Sequence, residues 1–239
     1  MRGQRRGRTE EGGLAVYLRR THEWRSAVML TVPLFAVYEA GLLLFTHGEV
    51  RNAADQVLRD LFHLGGARGT IVLNSVVLCL FLAAALARPR REPVFRHLPL
   101  LVLECSIYAA LLVPVTSLVV TLARGLMENG PAAALVLSLG AGLYEEVIFR
   151  LVAVSGLYAL LHRGLGLRTV WAASAALLLS SLLFAAYHHV GPGGEVFVRR
   201  VFAFRFLAGM LLGWLFLLRG FAVSCWSHAL YDVMVVLSA

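Results

Sequence analysis

Seven apolar runs, at about 27–46, 70–87, 98–122, 132–153, 169–187, 201–218 and 221–238, constrain this chain more than any other feature. Most are close to the twenty residues that a helix needs to cross hydrocarbon. They predict an all-α fold: a polytopic transmembrane helix bundle of about seven spans. Composition agrees, since 59% hydrophobic and 15% charged residues with a mean hydropathy of +0.75 are too apolar for a soluble domain of 239 residues. The fourth run is unusual. Its apolar pattern continues from Ala132 to Leu161, roughly 45 Å at 1.5 Å per residue, so a tilted or broken helix is expected there.

The net charge of +8 comes from 22 basic residues, all of them arginine. A nucleic-acid partner would require these on one face. They fall instead in the gaps between apolar runs, which is a membrane-topology pattern and makes the lipid bilayer the partner. With the N-terminus inside, segments 1–26, 88–97, 154–168 and 219–220 carry 14 Arg, against six in 47–69, 123–131 and 188–200. The expectation is an integral protein of the cell (cytoplasmic) membrane with a cytoplasmic N-terminus and an outside C-terminus. Residues 1–25 form an Arg-rich cytoplasmic tail, followed by an apolar run without a small-residue cleavage pattern, so an uncleaved anchor is expected. Membrane helices occupy 26–131, and 132–239 form the core that carries the chemistry. Cys79, Cys105 and Cys225 lie within apolar stretches and read as small buried hydrophobes, with no disulfide.

Ionisable residues interrupt three of the later runs. Glu145, Glu146 and Arg150 lie in the fourth, Phe184 and His188 at the end of the fifth, and His228 and Asp232 in the seventh. Within each group a four-residue spacing places Glu146 with Arg150, Phe184 with His188, and His228 with Asp232 on a shared helix face. Translocon scales put each ionised side chain at about 2.5–3.5 kcal/mol in mid-membrane, so these groups left apart would cost on the order of 10–20 kcal/mol. That exceeds the net stability of a typical protein, and the bundle must gather them around a polar intramembrane cavity. Along straight helices Glu145 and His228 fall towards the cytoplasmic half and His188 near the opposite end. A tilted, broken or re-entrant segment between 132 and 190 is therefore required.

Other polar positions have plainer readings. Residues 48–68 fit a short amphipathic helix in the interface with a packing role. Glu104, five residues after Pro99, is either a functional candidate or a side chain that reaches the headgroups, and Arg205 either snorkels, the preferred reading, or enters the polar interior. Taken alone, His188-His189 at a helix end is an interfacial anchor. Gly209 and Gly213 permit close helix approach. No internal repeat is visible.

A carboxylate and two imidazoles in one cavity can run acid–base chemistry on water, which makes hydrolysis the natural reaction class. The G-x-S-x-G, H-E-x-x-H, phosphate-loop and paired-Cys motifs are absent. The pattern E-E-x-x-x-R at Glu145, Glu146 and Arg150, F-x-x-x-H at Phe184 and His188, and H-x-x-x-D at His228 and Asp232 resembles the CAAX prenyl protease and bacteriocin-processing (Abi, CPBP) family of intramembrane endopeptidases, similar to the type II CAAX prenyl endopeptidase. The resemblance covers roughly 132–239, whereas 1–131 match only in being apolar spans.

The resemblance implies a helical bundle whose conical cavity opens to the cytosol and admits a peptide or protein substrate. It makes Glu145 the general base and His188 its helper in activating water. Glu146 and Arg150 become a supporting pair that orients Glu145, and Phe184 a packing residue. His228 and position 232 stabilise the oxyanion. The family usually has Asn at 232. An ionised Asp only accepts hydrogen bonds, so Asp232 is either protonated or orients His228, and the second is preferred. No cofactor is required on this reading. A divalent metal is the alternative, because Glu145, Glu146, His188, His189, His228 and Asp232 are all ligand types, though no recognised spacing joins them. A different class also stays open: a non-enzymatic membrane protein on the same scaffold, either a bacteriocin immunity factor or a proton-coupled carrier.

Overall fold

The computed structural model describes residues 13–48, 50–61, 67–87, 94–112, 130–190 and 194–238. The first twelve residues of the Arg-rich tail, positions 113–122 of the third apolar run, and the segments 88–93, 123–129 and 191–193 lie outside the described residues. Among the described residues there are nine helices and no strand. They are α1 (Gly13–His22), α2 (Trp24–Phe45), α3 (Ala53–Leu61), α4 (Ala67–Leu86), α5 (Leu98–Leu112), α6 (Pro131–Gly164), α7 (Thr169–Tyr187), α8 (Arg199–Arg219) and α9 (Phe221–Leu237). Among the described residues, every predicted apolar run falls on a helix. The runs on α2, α5, α6, α7 and α8 give spans long and apolar enough to cross a membrane, while Ile71–Leu86 and Phe221–Leu237 are shorter apolar helices. The all-α fold of an integral membrane protein follows.

The fourth run is continuous rather than broken. Helix α6 starts where Gly130, at φ +87°, turns the chain into Pro131, whose missing N–H costs nothing in a first turn. From there it runs 34 residues, about 50 Å at α-helical rise, and most of its apolar window is buried. Its hydrogen bonds widen to the i→i+5 pattern over Ala141–Glu145 and Val147–Val154. Such turns re-aim the side chains that follow and are frequent at functional sites. Here they bracket Glu145, Glu146 and Arg150.

Helix α9 lies against α2, α5, α6 and α8. Gly220, at φ +92°, is the single residue between α8 and α9, and its N–H bonds back to the carbonyls of Leu215 (3.1 Å) and Phe216 (3.0 Å). Only glycine takes that conformation without strain, and the turn folds α9 back along α8. Leu34, Tyr38 and Leu42 of α2 meet Leu137 and Tyr144 of α6 and Cys225 and Ala229 of α9 in one apolar cluster. On the other side Phe204 and Ala208 of α8 pack with Tyr231 and Val235 of α9. The Gly209 and Gly213 pair does face another helix: a Cβ on Gly209 would stand 3.2 Å from Phe184 and 3.3 Å from Ser181, both on α7.

One expectation changes, and two other polar positions take protein partners. Helix α3 is amphipathic, but its charged Asp55 and Arg59 are buried while Val57 and Leu61 face outward, the reverse of a helix floating in the interface. The inversion follows from partners: Tyr38 donates to Asp55 (2.9 Å), and Arg51 and Arg59 pair with it at 2.9 and 2.7 Å. Arg219 grips Glu104 through two nitrogens, at 2.7 and 2.9 Å, and the Tyr17 and Tyr108 hydroxyls also bond to it. Arg205 lines the central cavity and pairs with Glu195 at 2.7 Å.

Gly142 sets the approach of α6 to α9, because a Cβ there would lie 2.5 Å from the backbone nitrogen of Ala229 and 2.6 Å from its Cα. Backbone cannot yield as a side chain tip does. Gly142→Ala should therefore destabilise the protein by about 1–3 kcal/mol. Gly156→Ala, in the same helix with nothing within 4 Å, should be neutral or mildly stabilising. Thermal denaturation of both variants in detergent checks this, and equal melting temperatures would sink it.

Candidate functional site

Close contact between α6 and α9 buries the Glu146 carboxylate completely, and three groups hold it. Arg150, one turn along α6, places Nη1 3.0 Å from Oε1. His228 of α9 donates from Nδ1 to the same oxygen at 2.8 Å, since a carboxylate held by arginine only accepts. The Ser224 hydroxyl, one turn before His228, bonds to Oε2. The Arg150 guanidinium completes its own shell by donating to the Gly209 carbonyl (3.2 Å) and covering the Phe184 ring at 4.7 Å. Charge, hydrogen bonds and a cation–π contact thus offset one another in a dry interior, where an unpaired ion costs several kcal/mol.

Glu145 points the other way, into a cavity of about 670 Å³ that it lines together with Phe184, His188, Arg205, His228 and Asp232. Its Oε2 stands 3.8 Å from His188 Nε2 and 3.9 Å from His228 Nε2. Both distances exceed a direct hydrogen bond and suit a bridge through one small molecule. The imidazoles are fixed from behind. His188 Nδ1 lies 2.9 Å from the Phe184 carbonyl, which only accepts, so the proton sits on Nδ1 and Nε2 offers its lone pair to the cavity. His228 is held through Nδ1 by Glu146, leaving Nε2 free for the cavity, 3.5 Å from Asp232 Oδ2. The Phe184 ring is 5.0 Å from His188 and 5.9 Å from His228, in edge contact with both imidazoles.

All seven residues singled out by the motifs thus lie in one region. Glu145, His188, His228 and Asp232 line the cavity, while Glu146 and Arg150 stand behind it and Phe184 lies between. Two details differ from the motif reading. The closest carboxylate to His228 is Glu146 rather than Asp232, and the contacts of the Glu146–Arg150 pair run to His228, Ser224 and Gly209. His189 turns away: its Nδ1 is 3.1 Å from the Glu195 carbonyl and its ring packs on Phe197 and Phe202. Among the described residues no three His, Cys, Asp or Glu side chains are grouped so as to hold one metal ion.

Sequence reasoning missed the turn before α3. Arg51 and Asn52 line the same cavity as Glu145. No spacing signalled it, because Asn52 and Glu145 reach one cavity only through the packing of α3 on α6. The local clue was the polar string Arg51, Asn52, Asp55 and Arg59 directly after an apolar run. Ser224, one turn before His228, was legible in principle from its spacing.

Residues 127–234 match the family model described as type II CAAX prenyl endopeptidase Rce1-like. The match bears out, over that segment, the resemblance carried by the three motifs. Neither a curated protein nor a solved structure matches the chain.

Arg150→Met removes the cation beside Glu146 and leaves a buried carboxylate without its main charge partner. A loss of about 3–5 kcal/mol is expected. Adding Glu146→Gln to that variant should recover part of it, because the second change removes the stranded charge. Denaturation of the two single variants and the double variant in detergent measures the coupling, and strictly additive losses would show that the pair does not interact.

Proposed function

From the match of residues 127–234 to the family model described as type II CAAX prenyl endopeptidase Rce1-like, we propose that this chain is an intramembrane endopeptidase hydrolysing peptide bonds with a water activated by Glu145 and His188. The observation that carries the reading is the pair of separations around Glu145 Oε2, 3.8 Å to one imidazole and 3.9 Å to the other. A water placed there donates one hydrogen bond to the Glu145 carboxylate and the other to the lone pair of His188 Nε2. Its own lone pair is then free to attack a carbonyl carbon. Glu145 accepts the proton as the C–O bond forms and returns it to the leaving amine, as one carboxyl group does in both halves of general acid–base catalysis.

The carbonyl oxygen becomes an oxyanion, which needs donors fixed in advance. With Nδ1–H committed to Glu146, an imidazolium at His228 directs Nε2–H into the cavity. Asp232, 3.5 Å from that nitrogen, then balances the charge. On this account Asp232 acts through His228, consistent with a carboxylate that cannot itself donate. Phe184 packs edge-on against both imidazoles, and Glu146 with Arg150 holds His228 through a charged, fully buried contact. The chain's own side chains supply base and donor, so no metal enters the scheme.

The substrate is a peptide or protein segment reaching the cavity from the membrane or the cytosol, and apolar walls such as Leu137, Phe204 and Leu212 suit an apolar stretch of it. The arginine distribution supports a cell-membrane protein with its N-terminus in the cytoplasm.

The test is cleavage of a peptide library by the purified protein in detergent. Wild-type protein should cut, with activity unaffected by a chelator. Glu145→Gln and His188→Ala should each lower kcat by at least about a hundredfold while leaving the melting temperature in place. Full cleavage by both variants would refute the mechanism, and loss of activity on chelation would replace it with a metal-dependent one.

A further inference from the structure

The central cavity and the arginine-rich parts of the chain belong to opposite ends of the bundle. Contacts define the arginine-rich end. Arg219, closing α8, donates to the Leu18 carbonyl (3.4 Å) and the Thr21 hydroxyl (3.2 Å) of α1, and a Cβ on Gly220 would stand 3.2 Å from the Cα of His22. Arg25, in the first turn of α2, donates to the Ala87 carbonyl just past α4 (3.0 Å), and the Tyr17 ring lies 5.8 Å from His97, directly before α5. One end of the bundle therefore holds α1, the start of α2, the end of α4, the start of α5 and the turn between α8 and α9. The start of α7 joins them, because α7 runs antiparallel to α8: Phe184 and Ser181 face Gly209, while Leu177 faces Gly213.

The cavity opens from the other end. Its exposed rim is made by Gln56, Val57 and Asp60 of α3, which follows the end of α2, and by Val190 and Gly194, which follow the end of α7. Both segments are pinned close to the helices they leave: the Thr46 hydroxyl donates to the Val50 carbonyl at 3.1 Å, and the Glu195 N–H to the His188 carbonyl at 2.9 Å. Depth agrees with this placement. Helix α6 ends beside the start of α7, so it begins at the rim end, and over its 34 residues Glu145 falls in the half nearer the rim. Among the described residues, none from α1, α4 or the turn at Gly220 lines the cavity.

Charge decides which end faces the cytoplasm. The sequence segments that meet or adjoin at the α1 end, 1–26, 88–97, 154–168 and 219–220, carry 14 Arg, whereas 47–69, 123–131 and 188–200 carry six. Two of those six, Arg51 and Arg59, are bound to Asp55. Arginine-rich ends stay in the cytoplasm, and the first helix, preceded here by seven Arg in residues 1–25, usually sets the orientation. We infer that the cavity opens on the outer, non-cytoplasmic face of the membrane, so that its substrate is a peptide or protein segment presented at that face. This reverses the cytosolic opening that the resemblance to CAAX proteases implies; it closes the cytosolic route and leaves entry from the outer side of the membrane. The substrate half of the inference rests on the reading of the cavity as a hydrolase site, whereas the orientation does not.

Single cysteines report which face each end occupies. Gln56 and Val190 are exposed at the rim and take no part in the chemistry, and Ala15 is exposed on α1. In intact cells expressing the full-length protein, a charged, membrane-impermeant maleimide should label Gln56→Cys and Val190→Cys at least about tenfold faster than Ala15→Cys, because an ion crosses hydrocarbon poorly. Permeabilised cells should label all three, and the unaltered chain, with Cys79, Cys105 and Cys225, supplies the blank. Labelling of Ala15→Cys in intact cells overturns the inference, as does labelling of the rim cysteines only after permeabilisation. The two rim positions lie on separate segments, so either decides if the other variant fails to fold. A charged fluorogenic peptide selected from the library that the purified protein cuts should then be cleaved by intact cells and spared by cells carrying Glu145→Gln. Cleavage confined to permeabilised cells overturns the outer-face substrate. If the purified protein cuts no peptide, the hydrolase reading falls instead, and the labelling result alone upholds or overturns the orientation.

Discussion

A carboxylate with no exposed surface, Glu146, is the contact on which the rest of this architecture depends. It draws in an arginine from its own helix and a histidine and a serine from α9, and Arg150 extends the set to the backbone of α8 and the ring of Phe184 on α7. Lipid offers none of these partners. Apolar packing inside a membrane discriminates weakly between helix arrangements, because hydrocarbon tails are as apolar as leucine. A charged hub does discriminate: four helices must converge for it to exist at all.

Glycine makes that convergence possible. Gly142 lets α9 reach α6, Gly209 lets α8 reach α7, and Gly220 reverses the chain between α8 and α9. All three bring backbone close to another helix or make a turn that a side chain would obstruct. The polar centre and the small residues are therefore two parts of one solution, in which short interhelical distances turn dispersed charges into hydrogen-bonded ones.

A second buried network, built on Glu39, Arg51, Asp55 and Arg59, lies beside the first. Buried ion pairs contribute little net stability, and their best attested use is to specify one arrangement over others. Here the arrangement specified is the seat of α3 against α6, which brings Asn52 to the wall of the cavity that Glu145 lines. The two networks face the cavity from different parts of the chain: one belongs to the segment shared with a protease family, the other to the helices before it.

Much of this was legible in one dimension. Apolar run lengths determined the helices and their membrane setting, because hydrocarbon thickness sets a minimum span. Four-residue spacing determined which polar residues share a face, because helix periodicity is fixed. The cost of isolated charge in lipid required Glu145, Glu146, Arg150, His188, His228 and Asp232 to find partners. Which partner each found was decided by the tertiary structure alone. That His228 leans on Glu146 more closely than on Asp232, that Arg205 turns inward to Glu195, and that Asn52 shares a cavity wall with a glutamate ninety-odd positions away all depend on distances between helices. Those distances follow from side-chain volume at every contact together, and no local pattern of residues encodes them.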